Sequence, residues 1–111
     1  MTVLTLYGLP TCDSCRKARK ALEAAGHKVQ FRDVRAQPLS ADEWQPLLTE
    51  FGDRLVNRQS QTWRNLNDYL KHAEVDALLE AQPAVMKRPV IASDARMTLG
   101  WDDEVRAAWD A

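Results

Sequence analysis

The sequence lacks a long apolar run of the kind that crosses a membrane. No stretch approaches the roughly 18 consecutive apolar residues that a spanning helix needs. It also lacks a basic segment followed by an apolar stretch of signal-peptide length at its start. We therefore expect a cytoplasmic protein that makes no contact with a membrane.

The sequence also lacks an excess of either charge. Its 15 basic and 16 acidic residues leave a net charge of −1 over 111 residues. Because no whole-molecule field would attract a polyanion, we expect no direct binding of nucleic acid. The length suits one domain with its own core, so we predict a single domain over residues 1–111 and a monomer.

Cysteine is scarce, and the two cysteines present, Cys12 and Cys15, form a CxxC motif. They lie too close in sequence for a structural disulfide of the kind found in secreted domains. A structural zinc site needs four ligands, and His27 and His72 do not complete one at the spacings of zinc modules. We predict no metal, which leaves a redox pair or two inert cysteines that pack in the core.

The cysteines lie where a strand turns into a helix. Thr2–Tyr7 is almost continuously apolar, which predicts a strand covered on both faces. Gly8 and the proline after it end this strand, and helical periodicity then predicts a helix over Asp13–Ala25. Cys12 is therefore expected at a helix N-terminus.

That position favours redox chemistry because the thiolate is the reactive form of cysteine. The helix dipole contributes about 0.3–1 kcal/mol, whereas one pKa unit corresponds to about 1.4 kcal/mol. Direct hydrogen bonds and nearby cations must therefore supply most of the activation of Cys12. Cys15 falls on the apolar stripe of the helix, so we expect it to be more buried and to resolve the mixed disulfide formed by Cys12.

The next segments predict a second strand and a helical insert. Val29–Val34 alternates as a strand, which gives a β-α-β unit with a parallel strand pair and a right-handed crossover. Ser40 and Glu43 have capping-box spacing before an amphipathic helix that ends at Gly52. Pro46 lies inside this helix, so we expect a kink or a later start.

The insert is predicted to continue through two shorter helices. Thr62–Leu66 can form one of them, and a second contains Val75 and closes before Pro83, so residues 40–82 are mainly helical. Trp44 and Trp63 fall on apolar helical stripes, and we assign both to the core of the insert rather than to a ligand site.

The last third of the chain predicts a hairpin and a helix. Val90–Ala92 and Met97–Trp101 form the hairpin, and a helix with Trp109 on its buried stripe follows. The order is then β-α-β, helical insert, β-β-α. It predicts an α/β, thioredoxin-like fold with a mixed four-stranded sheet.

The residues also resemble a known family, that of arsenate reductase (ArsC) and Spx, whose members are cytoplasmic thioredoxin-fold proteins with a helical insert. The resemblance covers nearly the whole chain and rests on Tyr7–Ala18, Asn57–Leu66, Lys87–Ile91 and Leu99–Glu104. Within the family it is strongest for the short YffB-like members, whose Thr-Trp-Arg-x-Leu segment is matched by Thr62–Leu66.

The resemblance implies four site residues. The nucleophilic cysteine of the family falls on Cys12, the Spx-type resolving cysteine on Cys15, and two arginines of the reductase active site on Arg58 and Arg88. Two guanidinium groups facing Cys12 would lower its pKa and hold an anionic substrate. The fold also implies a cis peptide bond between Arg88 and Pro89.

The resemblance further implies a thiol-dependent oxidoreductase that acts on a small thiol, a disulfide or an oxyanion. It implies no bound cofactor and makes glutathione the expected electron donor, with a thioredoxin-like protein as the alternative donor. Arsenate reduction is an alternative function. Trp101 stands where the arsenate reductases carry a third arginine, so we expect this activity to be weak.

A second alternative comes from the Spx-type members, which are redox-sensing regulators of transcription. They bind the C-terminal domain of the RNA polymerase α subunit, and a glycine of that interface falls on Gly52. Glycine is also common at helix ends. The chain stops soon after its last predicted helix, without the tail typical of the regulators, which favours the oxidoreductase.

Overall fold

The computed structural model describes residues 3–111, which form two compact units. The first unit takes in the chain up to Asp33 and from Arg88 to Ala111, and the second is Val34–Lys87. The helical unit is thus somewhat longer than the predicted insert at 40–82. The assignment of the whole chain to a single domain stays a prediction.

The secondary structure follows the predicted order. In chain order the elements are β1 (Val3–Gly8), α1 (Asp13–Ala24), β2 (Lys28–Asp33), α2 (Ala41–Phe51), α3 (Gln61–Arg64), α4 (Asp68–Lys71), α5 (Val75–Ala81), β3 (Val90–Ala92), β4 (Met97–Leu99) and α6 (Asp103–Ala108). Short 3-10 turns cover Gly52–Leu55 and Pro83–Val85. The predicted strand start at Thr2 lies outside the described residues.

The first unit is built on one mixed sheet of four strands in the order β2-β1-β3-β4. β1 is parallel to β2 and antiparallel to β3, which is antiparallel to β4. Near the middle of the sheet, Leu6 of β1 pairs with Phe31 of β2 on one side and with Ile91 of β3 on the other. The predicted thioredoxin-like fold and its mixed four-stranded sheet are confirmed.

One face of the sheet forms the core of this unit. Leu4 and Leu6 of β1 pack with the apolar stripe of α1 and with Trp109, which follows α6. The fully buried residues on the stripe are Cys15, Ala18 and Leu22. Packing of α1 on β1 therefore fixes the helix start, and Cys12 with it, at the carboxyl end of the strand.

The other face of β1 corrects the sequence interpretation, which expected cover on both sides. Side chains alternate along β1, and Val3 is 49% exposed while Thr5 and Tyr7 are half-buried. Alternating burial is typical of a strand with one face on the core. Apolar composition alone does not distinguish a strand covered on both faces from a strand covered on one face, because valine and tyrosine also occur on half-exposed strand faces.

The second unit begins with α2, whose capping box is formed as predicted. The Glu43 backbone N–H donates to Ser40 Oγ at 3.2 Å, and the Ser40 N–H donates to Glu43 Oε1 at 3.0 Å. Of the two alternatives expected from Pro46, the later start is wrong, since α2 begins directly after Ser40 and contains Pro46, and the kink stays a prediction. The loss of one hydrogen bond is tolerated in a helix that buries Trp44, Leu47 and Phe51.

The two tryptophans of this unit differ. Trp44 is 2% exposed and belongs to the core, as predicted. Trp63 is half-buried, and the guanidinium carbon of Arg58 lies 5.2 Å from its ring centroid. The core assignment is therefore right for Trp44 and wrong for Trp63, which serves as a platform for a cation.

Among residues 3–111, no helix has the length and apolar character needed to cross a membrane.

Candidate functional site

Cys12 is the N-cap residue of α1, as predicted. Its backbone N–H donates to the Leu9 carbonyl at 3.1 Å, and its own carbonyl accepts from the Arg16 N–H at 3.1 Å. The backbone is thus held by the turn and the helix while the half-buried sulfur stays available for chemistry.

Cys15 lies one helical turn further on and is fully buried, so the expected order of exposure is confirmed. Its sulfur packs directly on Gly8 at the end of β1. A Cβ atom at Gly8 would lie 2.3 Å from Cys15 Sγ, far inside van der Waals contact. The absence of a side chain at Gly8 therefore makes the room for Cys15, a relation that the sequence analysis missed.

Cys12 has a lowered pKa. Burial is the largest single effect and raises the pKa, but the lowering effects of Cys15 and Arg88 together outweigh it; those of Cys15 are hydrogen bonds from its backbone N–H and its thiol. The Arg88 guanidinium lowers the pKa further, through a hydrogen bond and through its charge. Each of these contacts favours the charged form of the sulfur, so the arrangement favours a Cys12 thiolate.

Burial raises the pKa of Cys15 to about 12. A hydrogen bond from the Leu9 backbone opposes this shift, whereas the hydrogen bond and the negative charge of Cys12 add to it. The lowered pKa of Cys12 favours its thiolate, whereas Cys15 is a protonated thiol at neutral pH. The two sulfurs differ in pKa because they differ in burial and in the number of donors that face them.

Arg88 reaches this pair from just before β3. It is half-buried, and the peptide bond to Pro89 is cis, as predicted. The structure thus brings together Cys12, Cys15 and Arg88 in the first unit. The roles assigned to them from the family resemblance stay predictions.

Arg58, the other predicted site arginine, lies in the second unit after the Gly52–Leu55 turn. Its Nη2 donates to Asp53 Oδ1 at 3.1 Å, and its guanidinium stacks over Trp63. An aromatic ring and a carboxylate together restrict the rotamers of this long side chain. Arg58 is therefore held in place within its own unit.

Gly52 and Trp101 were both singled out by the resemblance. Gly52 has a φ of +53°, which side chains rarely tolerate, and it ends α2. An added Cβ would meet no atom within 4 Å, so backbone conformation alone explains the glycine. Trp101 packs against the core of the first unit and lines an open groove beside the second half of α1.

No cluster of three His, Cys, Asp or Glu residues that could hold a metal ion occurs in the described part of the chain. Each histidine ring contacts a backbone carbonyl oxygen. His27 Nε2 lies 2.8 Å from the Trp109 carbonyl oxygen, and His72 Nδ1 lies 2.8 Å from that of Asp68. These contacts give each imidazole ring a backbone partner, so neither histidine needs a metal or ligand to explain its position.

Comparisons with known proteins point to one family. A family model described as the ArsC family matches residues 7–108. The global transcriptional regulator Spx of Listeria monocytogenes is 36% identical over 111 residues, covering 94% of this chain and 85% of that protein.

Two solved structures are similar over at least 97% of the chain. One, described as a YffB protein, superposes with a TM-score of 0.85 at 30% identity and covers 97% of this chain and 99% of its own. An arsenate reductase (ArsC) related protein from Brucella melitensis gives a TM-score of 0.75 at 29% identity, with 100% and 97% covered.

Proposed function

The chain belongs to the ArsC family, and on that premise we propose that it is a thiol–disulfide oxidoreductase with Cys12 as nucleophile and Cys15 as resolving thiol. The observation that supports this most strongly is the contrast between the two sulfurs. Cys12 is accessible, with a lowered pKa and Arg88 beside it, whereas Cys15 is buried with a raised pKa.

In the first step, the Cys12 thiolate attacks one sulfur of a substrate disulfide. The substrate S–S bond breaks, a mixed disulfide forms on Cys12, and the other substrate sulfur leaves as a thiolate that takes a proton from water. Arg88 stabilises the thiolate before attack and supplies positive charge near the reacting sulfurs. Partial exposure of Cys12 gives the substrate its access.

In the second step, Cys15 loses its proton to solvent and attacks the Cys12 sulfur. A disulfide forms between the two cysteines, and the bound substrate half leaves as a thiolate. Once Cys12 is in a mixed disulfide its negative charge is gone, so the part of the Cys15 pKa shift due to that charge disappears. Burial, the largest cause of the raised pKa, remains in the mixed disulfide, so formation of that disulfide removes only part of the shift.

Glutathione is the electron donor that we propose for the return to the reduced state. Two glutathione thiols reduce the disulfide between Cys12 and Cys15, each losing one electron and a proton, and leave as glutathione disulfide. Alternatively, one glutathione resolves the mixed disulfide on Cys12 directly. In both routes the protein needs no bound cofactor.

A coupled assay tests the proposal. Reduced glutathione, glutathione reductase and NADPH are supplied with hydroxyethyl disulfide, and NADPH oxidation is followed. We expect turnover by the wild type, none by Cys12→Ser and a slower monothiol reaction by Cys15→Ala. Ser14→Ala, an exposed neighbour in the same motif, is the control that should keep the wild-type rate. Absence of turnover by the reduced wild type contradicts the proposal.

A second candidate function is redox-sensing regulation of transcription, favoured by the identity to Spx across most of the chain. In this case the same two cysteines form a switch, and the partner is the C-terminal domain of the RNA polymerase α subunit. Binding of that domain by the oxidised protein, lost on reduction and in Cys12→Ser, together with no turnover in the coupled assay, would make the regulator the better description.

Arsenate reduction is the third candidate, and we expect it to be weak. The position expected to hold a third arginine is Trp101, whose side chain offers no cation for an oxyanion. Loss of one charge-assisted hydrogen bond costs about 1.5–3 kcal/mol, or roughly ten- to a hundredfold in rate or affinity. Brisk arsenate reduction by the wild type would show that this position is not needed.

A further inference from the structure

A groove of about 350 Å³ lies on the first unit, beside the second half of α1. We call it the α1 groove, and its lining residues are Lys17, Lys20, Ala21, Ala24, Trp101 and Arg106. Its lining thus combines small and aromatic side chains with three cations. Neither the thiol chemistry nor the core of the unit requires this combination.

The cations of the α1 groove differ from the other cations of α1 in their pairing. Arg16 forms an ion pair with Asp13, and Arg19 lies 3.7 Å from a carboxylate oxygen of Glu23. Lys17 and Lys20 have no such partner among residues 3–111, and the same holds for the side chain of Arg106 on α6. The three cations of the groove thus form no ion pair within the described part of the chain.

Trp101 supplies an apolar surface between these charges. Its ring is half-buried and packs on the core cluster of the first unit, so one side is fixed while the other lines the groove. Rigid tryptophan and arginine side chains carry much of the binding energy at protein interfaces. The chemistry of the groove therefore fits a ligand with carboxylates around an apolar side chain.

The extent of the basic patch favours a short ligand. Asp102, Asp103 and Glu104 follow Trp101 directly and are exposed, so negative charge borders the groove on the α6 side. A long polyanion such as duplex DNA would meet these carboxylates, and the whole chain carries a net charge of −1. Two or three carboxylates on a peptide match the three cations without that repulsion.

We propose that the α1 groove binds a short acidic peptide segment of a partner protein, with carboxylates on Lys17, Lys20 and Arg106 and an apolar side chain on Trp101. This proposal goes beyond the thiol chemistry and does not depend on it. The groove begins about 7.5 Å along the axis of α1 from Cys12, given the rise of a helix. A partner bound there would be held close to the reactive sulfur.

Fluorescence anisotropy tests the proposal directly. The probe is a short labelled peptide with glutamates around one phenylalanine, and the matched peptide carries glutamines in place of the glutamates. Binding is measured with the reduced wild type and with Cys12→Ser, which should bind equally. We expect Lys17→Gln/Lys20→Gln to weaken binding about 3- to 30-fold, since each exposed ion pair changes affinity by a small factor.

The control variant is Arg16→Gln/Arg19→Gln, which makes the same charge change on the same helix outside the groove. It should change the affinity by less than about twofold, because those arginines are already paired. Equal weakening by the two double variants, or equal binding of the glutamine peptide, overturns the proposal.

Amide and indole NMR shifts locate the bound peptide independently of any variant. We expect the largest changes over residues 17–24 and at the Trp101 indole N–H. Shifts centred elsewhere contradict the proposed site. Displacement of the peptide by a lower concentration of duplex DNA, or of glutathione, would assign the groove to that ligand instead.

Discussion

At the scale of single residues, the two cysteines are distinguished by what surrounds each sulfur. Cys12 ends a turn and receives hydrogen bonds from Cys15 and Arg88, while Cys15 lies in the core against Gly8. The division into an attacking and a resolving thiol therefore depends on burial and donors more than on the helix dipole, whose contribution of about 0.3–1 kcal/mol is too small alone.

The pKa of Cys12 should lie below the value of about 8.5 for a free thiol. A lowered pKa means that the thiolate persists as the pH falls, so the midpoint of alkylation rate against pH should lie on the acid side of the free value. Arg88→Gln should raise the midpoint, because it removes a donor and a positive charge. Arg19→Gln removes a cation of α1 that is not among the causes of the shift, and should not raise it.

Gly8→Ala should destabilise the protein by about 1–3 kcal/mol, the usual range for overpacking a core. The new methyl group would meet Cys15 Sγ at 2.3 Å. In the double variant with Cys15→Ala the sulfur is gone, and most of the penalty should go with it. Urea denaturation of the four proteins in a double-mutant cycle measures this coupling, and simple additivity would contradict the contact.

At the scale of secondary structure, periodicity predicted the elements that pack along one stripe. The bounds of α1 and β2 came within one residue, because burial of alternate or every third to fourth side chain leaves a clear pattern. It missed α4 and the turn at Gly52–Leu55, since elements of four residues are too short for a stripe. It also could not select Arg88, whose contact with Cys12 joins segments far apart in the chain, or Gly8, whose contact with Cys15 depends on the packing of α1 against β1.

The capping box of α2 is a local feature that can be tested alone. Ser40→Ala should lower the free energy of unfolding by about 0.5–2 kcal/mol, because the Glu43 N–H loses its acceptor. Ser40→Asp keeps an acceptor at the N-cap and should retain most of the stability. Thermal or urea unfolding compares the three proteins, and an unchanged Ser40→Ala would mean that the cap contributes nothing.

At the scale of the whole molecule, the four residues that the family resemblance singles out are divided between the two units. The first unit holds Cys12, Cys15 and Arg88, and the second holds Arg58. The family resemblance alone assigns Arg58 to the site, since Arg54 is an arginine of the same unit that also stacks on an aromatic ring, that of Phe51. Arg54 is therefore a natural control for Arg58.

Arg58→Gln should raise the KM for a glutathione-mixed disulfide about ten- to a hundredfold, the effect of losing one charge-assisted hydrogen bond. Arg54→Gln should leave KM unchanged. Both side chains are exposed, so neither variant should unfold the protein, which circular dichroism can check. Equal effects of the two substitutions would remove Arg58 from the site.

The most direct test of the roles given to Cys12 and Cys15 is mass spectrometry of the protein after reaction with glutathione disulfide. Cys15→Ala should accumulate one glutathione, on Cys12, because no second thiol resolves the mixed disulfide. The wild type should lose that glutathione and form the disulfide between Cys12 and Cys15, and Cys12→Ser should stay unmodified. Stable glutathione on the wild type, or modification of Cys12→Ser at the wild-type rate, would contradict the assignment.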